Sequence, residues 1–308
     1  MLNNIFSIQT SPTFSLDQTC LIANDSGLHR SQDGGQTWEN IFNKISQGKS
    51  ISCTAAAFSP DYANDRTIFA GVNGSILTSY DNANTWIAYN LPTPEPIISK
   101  IIPSTNFCDD NFVVASTMDD GIFLSNDKGK TWKTWNFGLF DFNVFDVTLS
   151  TNYPMNQSAY LAAESGVFIS KNGGCTWKET SFPIHDAPVL SIAALYTEQQ
   201  KEIIIVGTEN NGLYASLNDG KTWQPIKLDT KNQAINQIDL QRLDMNKYQI
   251  TILSEKSLLR SMDNGETWIS VYEAKSDQEV LTCFCLTRSA HNQEIIFIGT
   301  MENGLIKI

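Results

Sequence analysis

SQDGGQTW, Ser31 to Trp38, decides the fold, because the chain writes it again and again. SYDNANTW follows at 79–86, SNDKGKTW at 125–132, SKNGGCTW at 170–177, SLNDGKTW at 216–223 and SMDNGETW at 261–268. The serine-to-serine steps are 48, 46, 45, 46 and 45 residues, so the copies form a regular array. Only Trp135 of the seven tryptophans lies outside them. Self-similarity at such a period is the mark of a repeat architecture.

Working outward, each unit shows the same layout, clearest in the second: SCTAAAFS, the turn SPDYANDRT, IFAGV, the tight turn NG, SILTS, the box, and WIAYN. Short apolar or alternating runs broken by Gly, Asn, Asp and Pro read as strands joined by hairpins. We letter them A to D, with the box joining C to D. Strand B recurs at 20–24, 112–116, 160–164, 203–208, 250–254 and 295–300, and strand C about five residues later. A single blade cannot bury both faces of its sheet, so such blades stack around a ring. A β-sandwich does not explain the strict period. The expectation is an all-β, seven-bladed β-propeller of four-stranded antiparallel blades forming one domain over 1–308. Its blades lie at about 5–42, 50–90, 97–137, 143–182, 188–228, 234–273 and 279–308. Seven copies of A-B-C but six boxes leave the last blade short of its outer strand, edged at most by residues 1–4. No stretch keeps a 3.6-residue apolar period, so helices are not expected.

The box reads S-x-D-x-G-x-T-W. Its Asp is placed to accept N–H bonds from its own turn, and its Gly to take a positive φ. The Trp opens strand D at the blade edge. The box positions Asp33, Trp38, Asp81, Trp86, Asp127, Trp132, Asn172, Trp177, Asn218, Trp223, Asp263 and Trp268 are therefore read as structural. Six equivalent carboxylate positions are not one active site. The pattern resembles the Asp-box, or BNR, repeat of sialidases, xyloglucan-active glycosidases, sortilin-type receptors and photosystem II assembly-factor-like propellers. SPDYANDRT and GTENNGLYAS (207–216) look most like the assembly-factor-like and uncharacterised members. That resemblance implies boxes on peripheral hairpins that carry no activity. Ala83 in place of the box Gly, and Asn172 and Asn218 in place of the Asp, depart from the pattern and imply softer hairpins.

A net charge of −12 with 21 basic residues argues against nucleic acid and anionic membranes, and leaves room for a basic protein segment. No run of eighteen apolar residues is present, so no membrane insertion is expected. MLNNIFSIQTSPTF lacks the basic-then-apolar order of a secretory signal. Six scattered cysteines without a CxxC pair read as free thiols in a reducing compartment, placing the protein in the cytoplasm. No zinc-ligand spacing and no phosphate-cradling glycine loop appears, so neither a metal nor a cofactor is expected.

Catalysis finds little support. A sialidase-like arginine triad would have to come from Arg30, Arg66, Arg242, Arg260 and Arg288, four of which fall at the box end of the blades. The xyloglucan-active relatives build their cleft from two propellers, and this chain holds one. His185 beside Asp186 is a lone adjacent pair.

Two features mark the end opposite the boxes. Acids occupy almost every B–C turn: Asp25, Asp119, Asp120, Glu164, Glu209, Glu255 and Glu302. Hairpin turns favour Asp, but Glu is not a turn residue and fills four of these places. Three successive D–A connections, LPTPEP (91–96), WNFGLFDF (135–142) and FPIHD (182–186), carry prolines and aromatics. Trp135, Phe137, Phe140, Phe142, Phe182 and His185 are either a contact patch or packing over the blade ends. The expected function is a non-catalytic protein-binding propeller, an assembly factor or scaffold. The alternative is a glycoside hydrolase or lectin using the same face.

Overall fold

The computed structural model describes residues 2–46, 49–92, 95–228 and 233–308. Among these the chain forms seven antiparallel sheets, six of four strands and one of three. The fold is the expected seven-bladed β-propeller, with the last blade lacking its fourth strand. The A strands are Ile5–Thr10, Cys53–Phe58, Ile97–Pro103, Val144–Leu149, Val189–Tyr196, Ile235–Arg242 and Leu281–Arg288. In the first blade Ile5–Thr10 pairs with Cys20–Asn24, then Gly27–Ser31, then Glu39–Asn40, a plain meander. B strands are buried along most of their length, and wholly so in Cys20–Asn24 and Ile68–Val72, because blades cover both their faces. The D strands are short and exposed, as in Lys178–Glu179.

The connections and the N-terminal residues add detail to the sequence reading. Helices are present as single turns: Phe14–Asp17, Tyr62–Asp65, Phe107–Asp110 and Tyr153–Asn156 form the A–B connections of the first four blades, and Asn43–Ser46 follows the first D strand. A buried aromatic anchors each of these four A–B turns, and a polar staple closes it. Ser11 Oγ donates to Asp17 Oδ2 at 2.6 Å while Asp17 Oδ1 accepts the Thr19 N–H at 2.8 Å. Ser59 and Asp65 repeat the staple at 2.6 Å. Such turns are too short for any amphipathic period to show. Residues 2–4 add no strand to the last blade; instead the Asn4 N–H donates to the Met301 carbonyl in its B–C turn. The LPTPEP connection lies partly outside the described residues, at 93–94.

The chain divides into two compact units. The first, Met1–Thr117 with Phe123–Lys133 and Gln278–Ile308, contains the seam between the last blade and the first. There Phe14 meets Phe297 edge-on at 5.9 Å, Lys307 Nζ donates to the Gly34 carbonyl at 2.7 Å, and Thr282 Oγ1 donates to the Ile5 carbonyl. Gly299 lets Ile5 approach closely, since a Cβ there would lie 2.7 Å from Ile5 Cγ2. The second unit, Met118–Ile122 with Thr134–Asp277, has its core between the B strand of one blade and the A strand of the next. Ile204 and Val206 pack there with Tyr160 and Phe182, and Ile205 packs with Ile235 and Ile250.

Candidate functional site

The boxes are fasteners. In the first, the Ser31 hydroxyl donates to Asp33 Oδ1 at 2.7 Å and accepts the Gly35 N–H at 2.8 Å. Asp33 also accepts the Gln36 and Thr37 N–H groups, at 2.9 Å each, and the Thr37 hydroxyl. Donors on every side hold the Asp33 carboxyl well below the usual carboxylate range, the Ser31 hydroxyl foremost. Asp263, led by Thr267, is held down to about 2. Asn172 keeps the arrangement with an amide, accepting the Thr176 N–H and donating to its hydroxyl, both at 3.0 Å. The substituted hairpin is thus fully bonded. Ala83 takes a φ of 63° in the glycine position, strained for a residue with a Cβ. Trp132 and Trp177 are buried, and Trp38, Trp86, Trp223 and Trp268 partly so. The carboxylates of Asp33, Asp81, Asp127 and Asp263 are each spent on their own turn.

The opposite face of the second unit is different. Connection 135–142 is pinned where the Trp135 carbonyl accepts Trp177 Nε1–H at 2.8 Å and the Phe137 carbonyl accepts the Trp177 N–H at 2.9 Å. Gly138 makes this approach possible: its φ is +83°, and a Cβ would lie 2.2 Å from the Trp177 carbonyl oxygen. Beyond it the chain turns through Asp141, whose Oδ1 accepts the Asn143 N–H at 3.0 Å and Oδ2 the Ser165 N–H at 2.6 Å. Asn143 ties two B–C turns together, accepting the Asp119 N–H at 3.1 Å and donating to Glu164 Oε2 at 2.7 Å. A cleft of about 490 Å³ results, lined by Asp119, Phe140, Asp141, Phe142, Asn143, Glu164, Ser165 and His185. Phe140 rests edge-on against Phe168 at 5.1 Å yet stays 64% exposed, and Phe137 is 77% exposed. Three carboxylates and no Lys or Arg line the cleft.

Five of the residues expected at a site therefore line one cleft: Asp119, Phe140, Phe142, Glu164 and His185. Phe137 lies in the same connection. Asp120 is next to it but outside the lining, its carboxyl raised by partial burial and by Asp119. Glu209 and Glu255 sit in other B–C turns of this unit, and Glu302 and Asp25 belong to the first unit, where Asp25 accepts a bond from Asn4. Phe182 is not on the surface: it is 2% exposed, edge-on to Tyr214 and Trp223 at 5.3 and 5.2 Å. Trp135 is partly buried and serves through its carbonyl. Sequence reasoning passes over Asp141, Asn143 and Ser165, which no repeat marks. Among the described residues no group of three or more His, Cys, Asp or Glu could hold a metal ion, and no helix is long and apolar enough to cross a membrane.

Comparison with known proteins follows the same lines. Among curated proteins, no sequence matches the chain. Among solved structures, an ancestral GH74 enzyme superposes with a TM-score of 0.76 at 17% identity, covering 99% of this chain and 44% of that one. YCF48 from Cyanidioschyzon merolae gives 0.68 at 16%, covering 99% and 95%. YCF48 bound to D1 peptide gives 0.67 at 15%, covering 99% and 92%. The chain spans about half the length of the GH74 enzymes it matches. At these identities the likeness shows the propeller fold. Sequence matching is more specific: residues 26–136 and 120–252 fit Sortilin-Vps10 (sortilin, neurotensin receptor 3), well over half the chain. With its boxes, its blades and that match, the chain belongs to the Sortilin-Vps10 family.

Proposed function

We propose that residues 1–308 act as one non-catalytic propeller that binds another protein, as an assembly factor or scaffold, through the cleft around Asn143. The observation that carries this is the meeting of exposed Phe140 and Phe142 with the carboxylates of Asp119, Asp141 and Glu164 in one cleft, with exposed Phe137 in the same connection. Exposed aromatics clustered at a concave site are the usual anchors of protein interfaces. The acid lining suits a basic segment of the partner. The occurrence of YCF48 with D1 peptide supports peptide binding by a propeller of this kind. Asp141 spends both oxygens on backbone N–H groups and Glu164 accepts from Asn143, a use in shaping the loop rather than in acid–base work on a sugar. The exposed thiols of Cys108 and Cys175 suit a reducing compartment, and we place the protein in the cytoplasm.

Affinity capture with the intact chain tests this, comparing wild type with Phe137→Ala/Phe140→Ala and with Glu164→Gln. Partner recovery should fall at least about tenfold for the aromatic pair, as for interface hot spots. Unchanged recovery, or glycan-array binding that the aromatic pair abolishes with no protein partner captured, would overturn the reading.

A further inference from the structure

A second cleft lies at the box end of the same unit, where the fifth and sixth blades lack the helical turn. In the first three blades that turn sends an aromatic against the preceding B strand: Phe14 meets Phe297, Tyr62 packs with Leu21, and Phe107 meets Phe69 at 5.7 Å. The sixth blade has instead a tight hairpin closed by Leu243 N–H to the Lys247 carbonyl, and the fifth one closed by Thr197 N–H to the Lys201 carbonyl. Neither turn carries an aromatic. The two hairpins stand side by side, bridged by Gln199 Nε2 to Asn246 Oδ1 at 3.1 Å and by Arg242 to Glu198 at 3.3 Å. A cleft of about 400 Å³ remains open beneath them.

Leu195, Ile203, Leu217, Met245 and Tyr248 give it an apolar stretch of wall among polar and charged residues. Met245 is 70% and Leu217 55% exposed. Leu217 holds the second box position, where the first four boxes have Gln32, Tyr80, Asn126 and Lys171. Grouped exposed apolar side chains at a concavity mark a binding surface, whereas scattered ones do not. The ammonium groups of Lys201 and Lys247 line it with no hydrogen bond or ion pair among the described residues. Asp244 spends Oδ1 on the Asn246 and Lys247 N–H groups and, with Glu266, is one of the two carboxylates in the lining. In a chain of net charge −12 the lining sets Lys201, Arg242 and Lys247 against Asp244 and Glu266, a slight positive balance, whereas the cleft around Asn143 holds three carboxylates and no Lys or Arg.

We propose that this cleft is a second docking site, taking a peptide segment whose aliphatic side chains enter between Leu217 and Met245 while flanking carboxylates pair with Lys201 and Lys247. It stands independently of the proposed function. The probe is a fluorescent decapeptide with a central Leu-Leu pair between Asp and Glu residues, read by anisotropy against the intact protein. Binding should weaken as salt rises from about 50 to about 300 mM. Lys201→Glu/Lys247→Glu and Leu217→Gln/Met245→Gln should each weaken it about tenfold or more, and Glu266→Gln should tighten it. Phe140→Ala should leave it unchanged. No binding by the acidic peptide, equal binding by a counterpart with Lys in place of its acids, or loss on Phe140→Ala would overturn the proposal. Self-association of the protein that Lys201→Glu/Lys247→Glu abolishes would assign the cleft to a second copy and overturn it equally.

Discussion

Asn156 replaces the stapling Asp of the first three A–B turns, and Glu202 explains the exchange. Glu202 is 1% exposed; its Oε1 accepts from Asn156 Nδ2 at 2.9 Å, and Asn156 also donates to Ser150 Oγ at 2.9 Å. Burial holds the Glu202 carboxyl above its usual range, although the nearby Ser150 hydroxyl, the Asn156 amide and the charge of Lys171 pull it back. Asn156→Asp would restore the staple of the other blades and set two carboxyl groups face to face. Losing a buried bond to an ionisable partner costs about 1.5–3 kcal/mol. Repulsion between charges 4 Å apart could add up to about 4 kcal/mol at an effective dielectric of 20. A shared proton caps that sum, so the expected loss is about 2–4 kcal/mol near pH 8. The sign follows from linkage. A carboxyl raised above its unfolded value contributes most at low pH, and the contribution drains away as pH rises from about 4.3 through the folded value. Asn156→Asp should therefore be well tolerated at pH 5 and costly at pH 8. Urea denaturation at both values measures it. Adding Glu202→Gln should recover most of the loss, because an amide again faces a carboxylate. Equal cost at the two pH values, or no recovery in the double variant, would refute the account.

Three further outcomes are expected. Gly129→Ala should destabilise by about 2–5 kcal/mol in thermal or urea unfolding, from the positive φ of 83° and a Cβ placed 2.6 Å from Phe69 Cε1. Asp263→Asn should change little at neutral pH, given the bonding Asn172 already shows, but should remove part of the acid transition. A depressed carboxyl contributes above its unfolded value, near 3.9, and loses that contribution as pH falls toward about 2. Circular dichroism of both proteins through that window checks it. Phe182→Ala should cost about 3–5 kcal/mol, whereas Phe137→Ala should stay within about 0.5 kcal/mol, so unfolding midpoints separate the buried aromatic from the exposed one.

The blades are legible in the sequence because their signals are local and repeat. An apolar B strand such as IIIVGT and a box such as SLNDGKTW each specify their own backbone. The predicted strands fall within a residue or two of Glu202–Thr208 and Leu213–Ser216. The helical turns were written there too, as Ser11-Phe14-Asp17 and Ser59-Tyr62-Asp65, but the code is a staple of three spaced residues and not a periodicity. Phe182 and Phe140 look alike in sequence, each in an aromatic D–A connection. Only contacts formed across blades send one beneath Tyr214 and leave the other on the rim. The roles of Asn143 and Asn156 likewise depend on what long-range packing sets before them.

The box tryptophans have a consequence for spectroscopy. Within each unit they meet the neighbouring blade: Trp86 lies edge-on to Phe42, Trp132 gives its carbonyl to Tyr89, Trp177 bonds to Trp135, Trp223 meets Phe182, and Trp268 bonds to the Lys227 carbonyl. Trp38 packs in the cluster that joins the first and last blades. Each indole is thus a native fluorophore standing at a different seam. Variants that keep one of them at a time would report the opening of one seam at a time, and the repeat itself becomes a set of addressed optical probes.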